Sequence, residues 1–533
     1  GAGTSGIDRN SGFDKKDYLA KFRINTNIDA KIYQSLTFKI GQSVGKINET
    51  YLGLTQEDFN TNPIRRYAGS QVDQINTTQS QFSLTHKAIL SKSFDITTVA
   101  YRTNFSRNWY KLDRVKDRTG TKTKIAELLD NPTGFNDAFD ILTGTTSILD
   151  DALFVKANNR SYYSKGIQTK LNFDFKTNNI IHNIELGIRV HQDQIDRFQW
   201  VDEYAMDNGV MELTKAGIQG TESNRIETAN AVATYLQYKL KAGKFTATPG
   251  IRYENITQER KDFGKTDPDR TGSDLLERSN TVDVFIPGIG LDYRITNYLS
   301  TFMGIHKGFA PPGSKDELEP EGSTNYELGS RYAKKGISGQ AVLFFNNYTN
   351  LLGSDLEAAG GGGTNEQFNG GAVKTRGLEF NLTYNLLFSK SESAFSMPIT
   401  IVYTHTDAEF QNDFDSDFGG WGKVTAGDQF PYMANDQFTF IFGLEHHKFG
   451  LNLSGKYMDE MRTAPGQGEI LSNEKTDSYF VIDAGANYNL HKYVSLFANA
   501  TNLTDQIYVV ARRPAGLRPG MPRAFNIGLK ANF

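Results

Sequence analysis

Apolar and polar side chains alternate along many segments of this chain, and no run of about 18 or more consecutive apolar residues occurs. A period of two places successive side chains on opposite faces of a β-strand. In the last segment Phe525, Ile527 and Leu529 fall on one face, whereas Asn526 and Lys530 fall on the other. A chain without a long apolar helix can cross a bilayer only as a closed sheet. Two fold classes therefore remain, a transmembrane β-barrel and a soluble all-β protein.

The length of the alternating segments separates these two classes. Alternation recurs at residues 167–175, 378–386 and 480–488. It often persists for roughly ten residues, the length needed to cross a bilayer at a tilt of about 45°. Strands of soluble proteins average about 5 or 6 residues. Aromatic residues near strand ends also match the girdles of outer-membrane barrels; these are Tyr488, Tyr493, Tyr508 and Phe533. We predict an all-β fold, a transmembrane antiparallel β-barrel.

Short and long connections between the predicted strands alternate along the chain. The short ones lie at 91–93, 177–179, 242–244, 294–298, 333–336, 446–449 and 489–492. The long ones lie at 112–160, 202–222, 262–278, 350–367 and 412–431. Outer-membrane barrels have short periplasmic turns and long external loops. The pattern therefore predicts which side of the membrane each connection faces.

Counting strands by this alternation gives about 19, from a descending strand near 17–27 to a last one that ends at Phe533 on the periplasmic side. An odd number cannot close, because the first and last strands of an antiparallel barrel must also pair antiparallel. We therefore expect that at least one ascending strand is missing at the N-terminus. The first residues, 1–6, carry no export signal.

Composition argues against several other functions. The formal charge of -3 predicts no nucleic-acid partner. Cysteine is absent, which excludes a thiol nucleophile and Cys-ligated metals. No nucleophile signature such as Gly-x-Ser-x-Gly occurs, so we expect no enzyme and no catalytic residues. No metal site is expected either. Asp413, Asp415 and Asp417 resemble the first residues of a calcium-binding loop, but Phe418 occupies the position where such a loop needs glycine.

Several short motifs, in order, resemble TonB-dependent outer-membrane receptors. The C-terminal part carries them at 308–312, 319–321, 325–329, 376–379, 502–508 and 520–523, with Phe533 at the end. Upstream, the motifs at 51–55, 62–63, 65–67 and 108–110 are similar to the ferric-citrate or siderophore receptor branch. The resemblance runs from about Asn10 to Phe533.

This resemblance implies a 22-stranded barrel around a globular plug, energised from the inner membrane through TonB. The chain departs from the pattern, because the plug, the TonB-contacting box and three initial strands are missing from it. Residues 1–533 are therefore expected to be one barrel domain that is incomplete at the N-terminus. The implied location is the outer membrane of a Gram-negative bacterium. The implied partners are outer-membrane lipid and lipopolysaccharide, TonB through a plug outside this chain, and the missing plug and strand segment.

A receptor for an anionic metal chelate needs cationic and hydrogen-bonding side chains, with arginine favoured for bidentate carboxylate recognition. Candidates in the external loops are Arg107, Trp109, Tyr110, Lys111 and Arg114, then Arg197, Gln199 and Trp200, and finally Arg512, Arg513 and Arg518. The alternative is that these side chains are solvated or contact lipopolysaccharide.

The function expected is TonB-energised uptake of a ferric chelate, ferric citrate or another siderophore. No resident cofactor is expected, and the ferric chelate is the cargo. A passive porin-like channel, TonB-dependent uptake of a non-iron nutrient and a soluble adhesin stay open as alternatives.

Overall fold

A computed structural model of the chain describes residues 1–315, 318–354, 367–387, 395–416 and 421–531. Most of this part is β-strand, with a few short helices between strands. The strands are β1 (Ala2–Thr4), β2 (Phe13–Asn25), β3 (Tyr33–Ile47), β4 (Gln74–Ser91), β5 (Phe94–Lys116), β6 (Lys122–Lys124), β7 (Leu153–Thr177), β8 (Ile180–Asp207), β9 (Val210–Lys215), β10 (Ser223–Ala242), β11 (Phe245–Asp262), β12 (Leu276–Arg294), β13 (Leu299–Ala310), β14 (Glu321–Lys334), β15 (Ile337–Thr349), β16 (Leu352–Ser354), β17 (Gln367–Asn369), β18 (Val373–Leu387), β19 (Ser396–Phe410), β20 (Phe414–Asp415), β21 (Lys423–Val424), β22 (Asp436–Glu445), β23 (Phe449–Met458), β24 (Tyr479–His491), β25 (Val494–Thr501), β26 (Val509–Ala511), β27 (Arg518–Pro519) and β28 (Ala524–Ala531). The helices are α1 (Gln56–Thr61), α2 (Ile125–Asp130) and α3 (Asn136–Thr143), with 3₁₀ turns at Ala68–Ser70 and Ser472–Glu474.

Long strands form one antiparallel meander, in which each pairs with the next along the chain. The order is β2, β3, β4, β5, β7, β8, β10, β11, β12, β13, β14, β15, β18, β19, β22, β23, β24, β25 and β28. The whole sheet has 22 strands among the described residues. Three of these, β1, β6 and β9, have only 3, 3 and 6 residues. The remaining 19 agree with the predicted count, and the all-β antiparallel fold is confirmed.

The tight connections lie where the sequence predicted them. β4 ends at Ser91 and β5 begins at Phe94, and the turns at 178–179 and 243–244 are equally short. Asn178 and Gly243 adopt φ angles of 53° and 57°. Two-residue hairpin turns require this left-handed conformation, which asparagine and glycine tolerate best. These turns all lie at one end of the sheet, which we call the short-turn end.

At the opposite, long-loop end the predicted limits at 112, 160 and 202 are wrong, because those strands run further than expected. The limits at 222, 262 and 350 agree to within one residue with the start of β10 and the ends of β11 and β15. β5 and β7 extend beyond the predicted loop limits at 112 and 160, and β8 beyond 202. Leu112 and Val155 still pair there, and both are fully buried. Strands covered on both faces lose the alternation from which the boundaries were inferred.

The long-loop end carries a compact hydrophobic core, which we call the cap and define as residues 48–73, 117–152 and 502–523. Its buried residues include Leu128 and Leu142. Leu52 bridges to Ala515, and the backbone nitrogen of Leu54 lies 2.9 Å from the carbonyl oxygen of Leu517. The first of these segments follows β3 and the last precedes β28, so their contact shows that the meander curls round on itself. Among the described residues, no backbone pairing joins β28 to β1 or β2.

Large apolar side chains cover the outer face of the curled sheet. Phe22 and Ile527 are 63% and 78% exposed. An apolar surface of this extent is suited to an apolar environment rather than to water. Tyr488 and Tyr493 are exposed as a girdle requires, but Tyr508 is buried at 8% exposure. The girdle prediction is wrong for Tyr508, because its ring packs 4.2 Å from that of Tyr479 beneath the last loop.

Some sequence features fall outside the described residues, namely Asp417, Phe418 and Phe533. Within the described part of the chain, no helix is long and apolar enough to span a membrane. In the same part, no group of three or more His, Asp or Glu side chains could hold a metal ion.

Candidate functional site

The two faces of the sheet carry different chemistry, as β8 illustrates. Ile188 and Val190 point outward and are each 50% exposed. Arg189 and His191 point inward, where both contact the hydroxyl of Tyr101, at 2.9 and 2.7 Å. Successive side chains of a strand alternate between faces, so this assignment extends along β8 and across its paired neighbours. The inner face is polar and lines the interior of the curled sheet, which we call the lumen.

Four arginines lie side by side on the lumen face of neighbouring strands. Arg107 of β5 is opposite Arg160 of β7, which is opposite Arg197 of β8. Arg197 is in turn opposite Arg225 of β10. We call Arg107, Arg160, Arg197 and Arg225 the arginine row. Like charges directly opposite each other in a sheet repel, so this row is costly unless anions neutralise it.

The carboxylate of Glu227 lies beside one end of the arginine row. Its oxygens are 3.7 Å from Arg197 and 3.5 Å from Arg225, and 3.9 Å from Arg260 on β11. These separations exceed the 2.7–2.9 Å typical of charge-assisted hydrogen bonds. Glu227 is therefore shared, at long range, among three guanidinium groups. A second carboxylate, Asp262, accepts from Arg260 Nη2 at 2.5 Å and lies opposite Arg225.

The rest of the row has no acidic partner. The structure gives Arg107 and Arg160 no carboxylate contact among the described residues, although Arg160 Nε donates to Asn158 Oδ1 at 2.7 Å. Arg197 is only 9% exposed, and its Nε lies buried without a hydrogen-bond partner, as does Nε of Arg107. Buried donors without partners are costly and rare, and they indicate a site that a ligand completes. Arg107, Arg160 and Arg197 therefore carry excess positive charge, and Arg107 and Arg197 each have a buried Nε donor without a partner.

A cavity of about 540 Å³ opens beside Arg197 and Arg260. Its walls are β8, β10 and β11, and the segment that follows β13 folds over it with Pro311 and Lys315. Small-molecule sites usually have volumes of about 300–1,000 Å³. Arg252 in the wall is already neutralised, since its Nε lies 2.5 Å from Glu254. We call this cavity the lumen pocket.

The structure brings together two of the sequence candidates that were expected in separate loops. Arg107 and Arg197 are both members of the arginine row. Gln199 lies next to Arg197 on the same face and is 4% exposed, and its amide donates to Asn158 Oδ1 at 2.6 Å. These three lie on β5 and β8, before the predicted loop limits at 112 and 202, so they belong to strands rather than to loops.

Trp109 and Lys111 also face the lumen, but they pack against the cap. The Trp109 ring lies 4.3 Å from that of Tyr51, and its Nε1 donates to the Glu49 carbonyl at 3.3 Å. Lys111 is 1% exposed, and its Nζ lies 3.6 Å from the centre of the Tyr51 ring. Both residues anchor the segment after β3 to the barrel wall.

Tyr110, Arg114 and Trp200 lie apart from the arginine row. The Tyr110 hydroxyl lies 2.9 Å from that of Tyr204 and also donates to Asp202. Arg114 pairs with Asp113 at 3.0 Å. Trp200 follows Gln199 and so points to the outer face.

The three arginines of the last loop lie in the cap. Arg512 donates to the carbonyls of Lys475 and Ser472, at 2.6 and 2.8 Å. Arg518 donates to the carbonyls of Thr50 and Tyr51, at 3.1 and 2.8 Å. Arg512 and Arg513 border a separate cavity of about 1050 Å³ between the segments of the cap. Arg512 and Arg518 thus tie the last loop to neighbouring segments, whereas Nε of Arg513 and of Arg518 lies buried without a hydrogen-bond partner.

The sequence reasoning missed Arg160, Arg225, Arg260 and Glu227. Arg225 and Glu227 stand two residues apart in a segment of alternating character, which could have flagged them as one lumen face. The row itself could not have been found this way, because it depends on the register between strands whose paired residues are up to 53 positions apart in the chain, as for Arg107 and Arg160.

Comparisons with known proteins identify the class. Residues 14–503 match the family model described as TonB dependent receptor-like, beta-barrel. This chain belongs to that family, a family of receptors and transporters of the Gram-negative outer membrane.

Individual relatives are distant. An uncharacterized TonB-dependent receptor of Haemophilus influenzae is 23% identical over 313 residues, which is 55% of this chain and 82% of the relative. The unliganded ferric citrate transporter FecA superposes with a TM-score of 0.72 at 16% identity, covering 98% of this chain and 70% of FecA. The siderophore receptor PiuA from Acinetobacter baumannii also gives 0.72, at 14% identity, covering 99% and 76%. At these identities the structural likeness shows the fold.

Proposed function

We propose that this chain is the cargo-binding barrel of a receptor that takes up an anionic ferric chelate, such as ferric citrate or another carboxylate siderophore. Uptake is energised through TonB, and the chelate is cargo rather than a resident cofactor. The receptors with similar folds include proteins described as ferric citrate and siderophore receptors, which supports this cargo class.

The observation that carries the proposal is the arginine row beside the lumen pocket. Guanidinium groups bind carboxylates in a planar, bidentate manner. Arg107 and Arg197 have buried Nε donors without partners, so a carboxylate placed there makes bonds that the free protein lacks. Desolvated, preorganised donors of this kind give affinity as well as selectivity for anions.

The row also explains why an anionic cargo fits better than a neutral one. Arg107 and Arg160 contact no carboxylate among the described residues, and Arg197 contacts only Glu227, at 3.7 Å, so a bound anion removes repulsion that the strand register imposes. A neutral cargo leaves that repulsion in place. Ferric chelates with several carboxylates are suited to span adjacent members of the row.

The test is isothermal calorimetry with ferric citrate on the purified receptor and its Arg160→Gln/Arg197→Gln variant. We expect the variant to bind at least roughly 30-fold more weakly, because removing charged partners from a buried contact typically costs 2 kcal/mol or more. The matched control is Lys170→Gln, another lumen cation, whose partner Glu185 lies 2.9 Å away near the short-turn end. The control should bind like the wild type.

Two results would contradict the proposal. Unchanged affinity in the double variant would remove the arginine row from binding. Equal affinity of the wild type for ferric citrate and for a neutral ferric chelate would show that anionic charge is not recognised. Tight binding of an iron-free carboxylate alone would indicate a non-iron nutrient as cargo.

A further inference from the structure

The cavity of about 1050 Å³ in the cap plays no part in the proposed uptake of a ferric chelate. It is lined by helices α1, α2 and α3, by the loop between β23 and β24, and by the last loop of the chain. Its lining includes Asp130, Phe139, Glu474 and Arg513, and we call it the cap cavity. Its volume is similar to that of the largest small-molecule sites, about 1,000 Å³. A molecule of drug size therefore fits.

Arg513 lines the cap cavity with a side chain that has no partner. Its Nε lies buried without a hydrogen-bond partner, and its guanidinium makes no ion pair among the described residues. Arg512 differs, because it donates to the carbonyls of Lys475 and Ser472, at 2.6 and 2.8 Å. Buried donors without partners are costly and rare. Arg513 is therefore available to an anionic group in the cavity.

The carboxylate of Asp130 lines the same cavity, also without a partner. It makes no hydrogen bond or ion pair in the described part of the chain. Burial raises the pKa of this carboxyl, and the nearby charge of Arg513 acts in the opposite direction. Asp130 is also the last residue of α2, the end of a helix that favours a cation. Arg513 and Asp130 are thus neighbouring opposite charges that remain beyond ion-pair distance.

The unpaired groups of the cap cavity carry more negative than positive charge. Asp140 and Glu474 line it too, and neither carboxylate has a hydrogen bond or ion pair among the described residues. Leu129 and Phe139 add apolar wall, against which the hydrocarbon stems of lysine side chains pack well. The cavity is therefore suited to a molecule with one carboxylate and several cations on flexible stems.

We propose that the cap cavity binds a short basic peptide with a free C-terminal carboxylate. The carboxylate accepts hydrogen bonds from Arg513, a pairing that guanidinium geometry favours. The ammonium groups pair with Asp130 and with Asp140 or Glu474. Because the peptide contacts the last loop and the helices of the cap, it ties these segments together. The proposal does not depend on the cargo, since no member of the arginine row lines this cavity.

The test is calorimetry with the tripeptide trilysine on the full receptor. We expect the wild type to bind it, and Arg513→Gln and Asp130→Asn each to bind at least roughly ten-fold more weakly, because each loses a charge-assisted hydrogen bond. Arg118→Gln is the matched control, since Arg118 is another arginine of the cap, pairs with Asp137 at 3.6 Å and does not line the cavity. The control should bind like the wild type.

Two further arms need no variant. Trilysine amide, which lacks the carboxylate, should bind the wild type as weakly as trilysine binds Arg513→Gln. Trilysine should also slow hydrogen exchange of the Leu517 amide, which lines the cavity and donates to the Leu54 carbonyl at 2.7 Å. The amides of β10, which lines the lumen pocket, should keep their rates.

Four results would overturn the proposal. The first is no detectable binding of trilysine to the wild type, and the second is unchanged affinity in both variants. The third is equal affinity for trilysine and its amide, which would indicate attraction of any polycation. The fourth is slowed exchange confined to strands of the lumen, which would place the peptide outside the cap.

Discussion

Two groups of arginines in this molecule look alike in the sequence and differ in the structure. In the cap, Arg512 and Arg518 donate to backbone carbonyls of neighbouring segments. In the lumen, Arg107 and Arg197 retain buried donors without partners. Nε of Arg518 is buried without a partner as well, but its Nη2 donates to two carbonyls, whereas the structure gives Arg107 no hydrogen bond among the described residues. An arginine that carbonyls hold in this way stabilises a loop, whereas one without such bonds is available to an anion. The partners of an arginine, rather than its presence in a loop, therefore indicate its role.

The largest predicted effect concerns the pH dependence of the cap. Burial raises the pKa of the Asp73 carboxyl to about 7, while hydrogen bonds from Thr50 and the Leu112 amide act in the opposite direction. In the folded cap Asp73 thus stays protonated at pH values at which it is ionised in the opened segment, where its pKa has the ordinary value of 3.8. Asp73 therefore contributes up to about 4 kcal/mol to the free energy of opening the cap. This contribution is fully present below about pH 4 and is lost as the pH rises towards 7.

Hydrogen exchange of the Leu112 amide, corrected for the intrinsic rate, measures this opening. The amide donates to Asp73 Oδ1 at 2.8 Å, so its protection should fall steadily between pH 4 and 7 in the wild type. Asp73→Asn preserves the acceptor but cannot ionise, and its protection should not vary with pH. A wild-type profile as flat as that of the variant would be inconsistent with a protonated Asp73.

Arg518→Ala tests whether the last-loop arginines are structural. Two hydrogen bonds from its charged side chain hold the segment after β3, so the cap should lose about 2 kcal/mol of local stability. Limited proteolysis within 502–523 should become faster, while calorimetric affinity for ferric citrate stays within about three-fold of the wild type, less than one hydrogen bond contributes. A large loss of affinity with unchanged proteolysis would instead make this arginine a ligand contact.

Glu227→Gln tests whether the charge balance of the lumen arginines controls cargo affinity. Removing the shared carboxylate leaves Arg197 and Arg225 with more unbalanced charge. Affinity for ferric citrate should rise by roughly ten-fold, a change of about 1.4 kcal/mol, and the gain should shrink at high salt. Weaker binding would mean that Glu227 positions the arginines or contacts the cargo.

Arg114→Ala should have the smallest effect. Its side chain is 39% exposed and pairs with Asp113 near the surface, an arrangement that contributes about 0–1 kcal/mol. Cargo affinity and cap proteolysis should both match the wild type. A clear loss of affinity would extend the binding site to this end of β5.

The strand pattern and the short turns could be predicted from the sequence because both are local properties. Alternation identified the two faces, and residues such as Asn178 and Gly243 marked tight turns. The boundaries near Leu112 could not be predicted, because the cap covers those strands from both sides. The arginine row depends on register between strands, which no local pattern encodes. For that reason the sequence identified Arg107 and Arg197 but not that they share a site.

The most direct test of this account is an anomalous-scattering map of the receptor crystallised with a ferric chelate. We expect an iron peak in the lumen pocket, with chelate carboxylates within hydrogen-bond distance of Arg197 and its neighbours in the arginine row. An iron peak in the cavity of the cap beside Arg512 and Arg513, with the arginine row unoccupied, would contradict it.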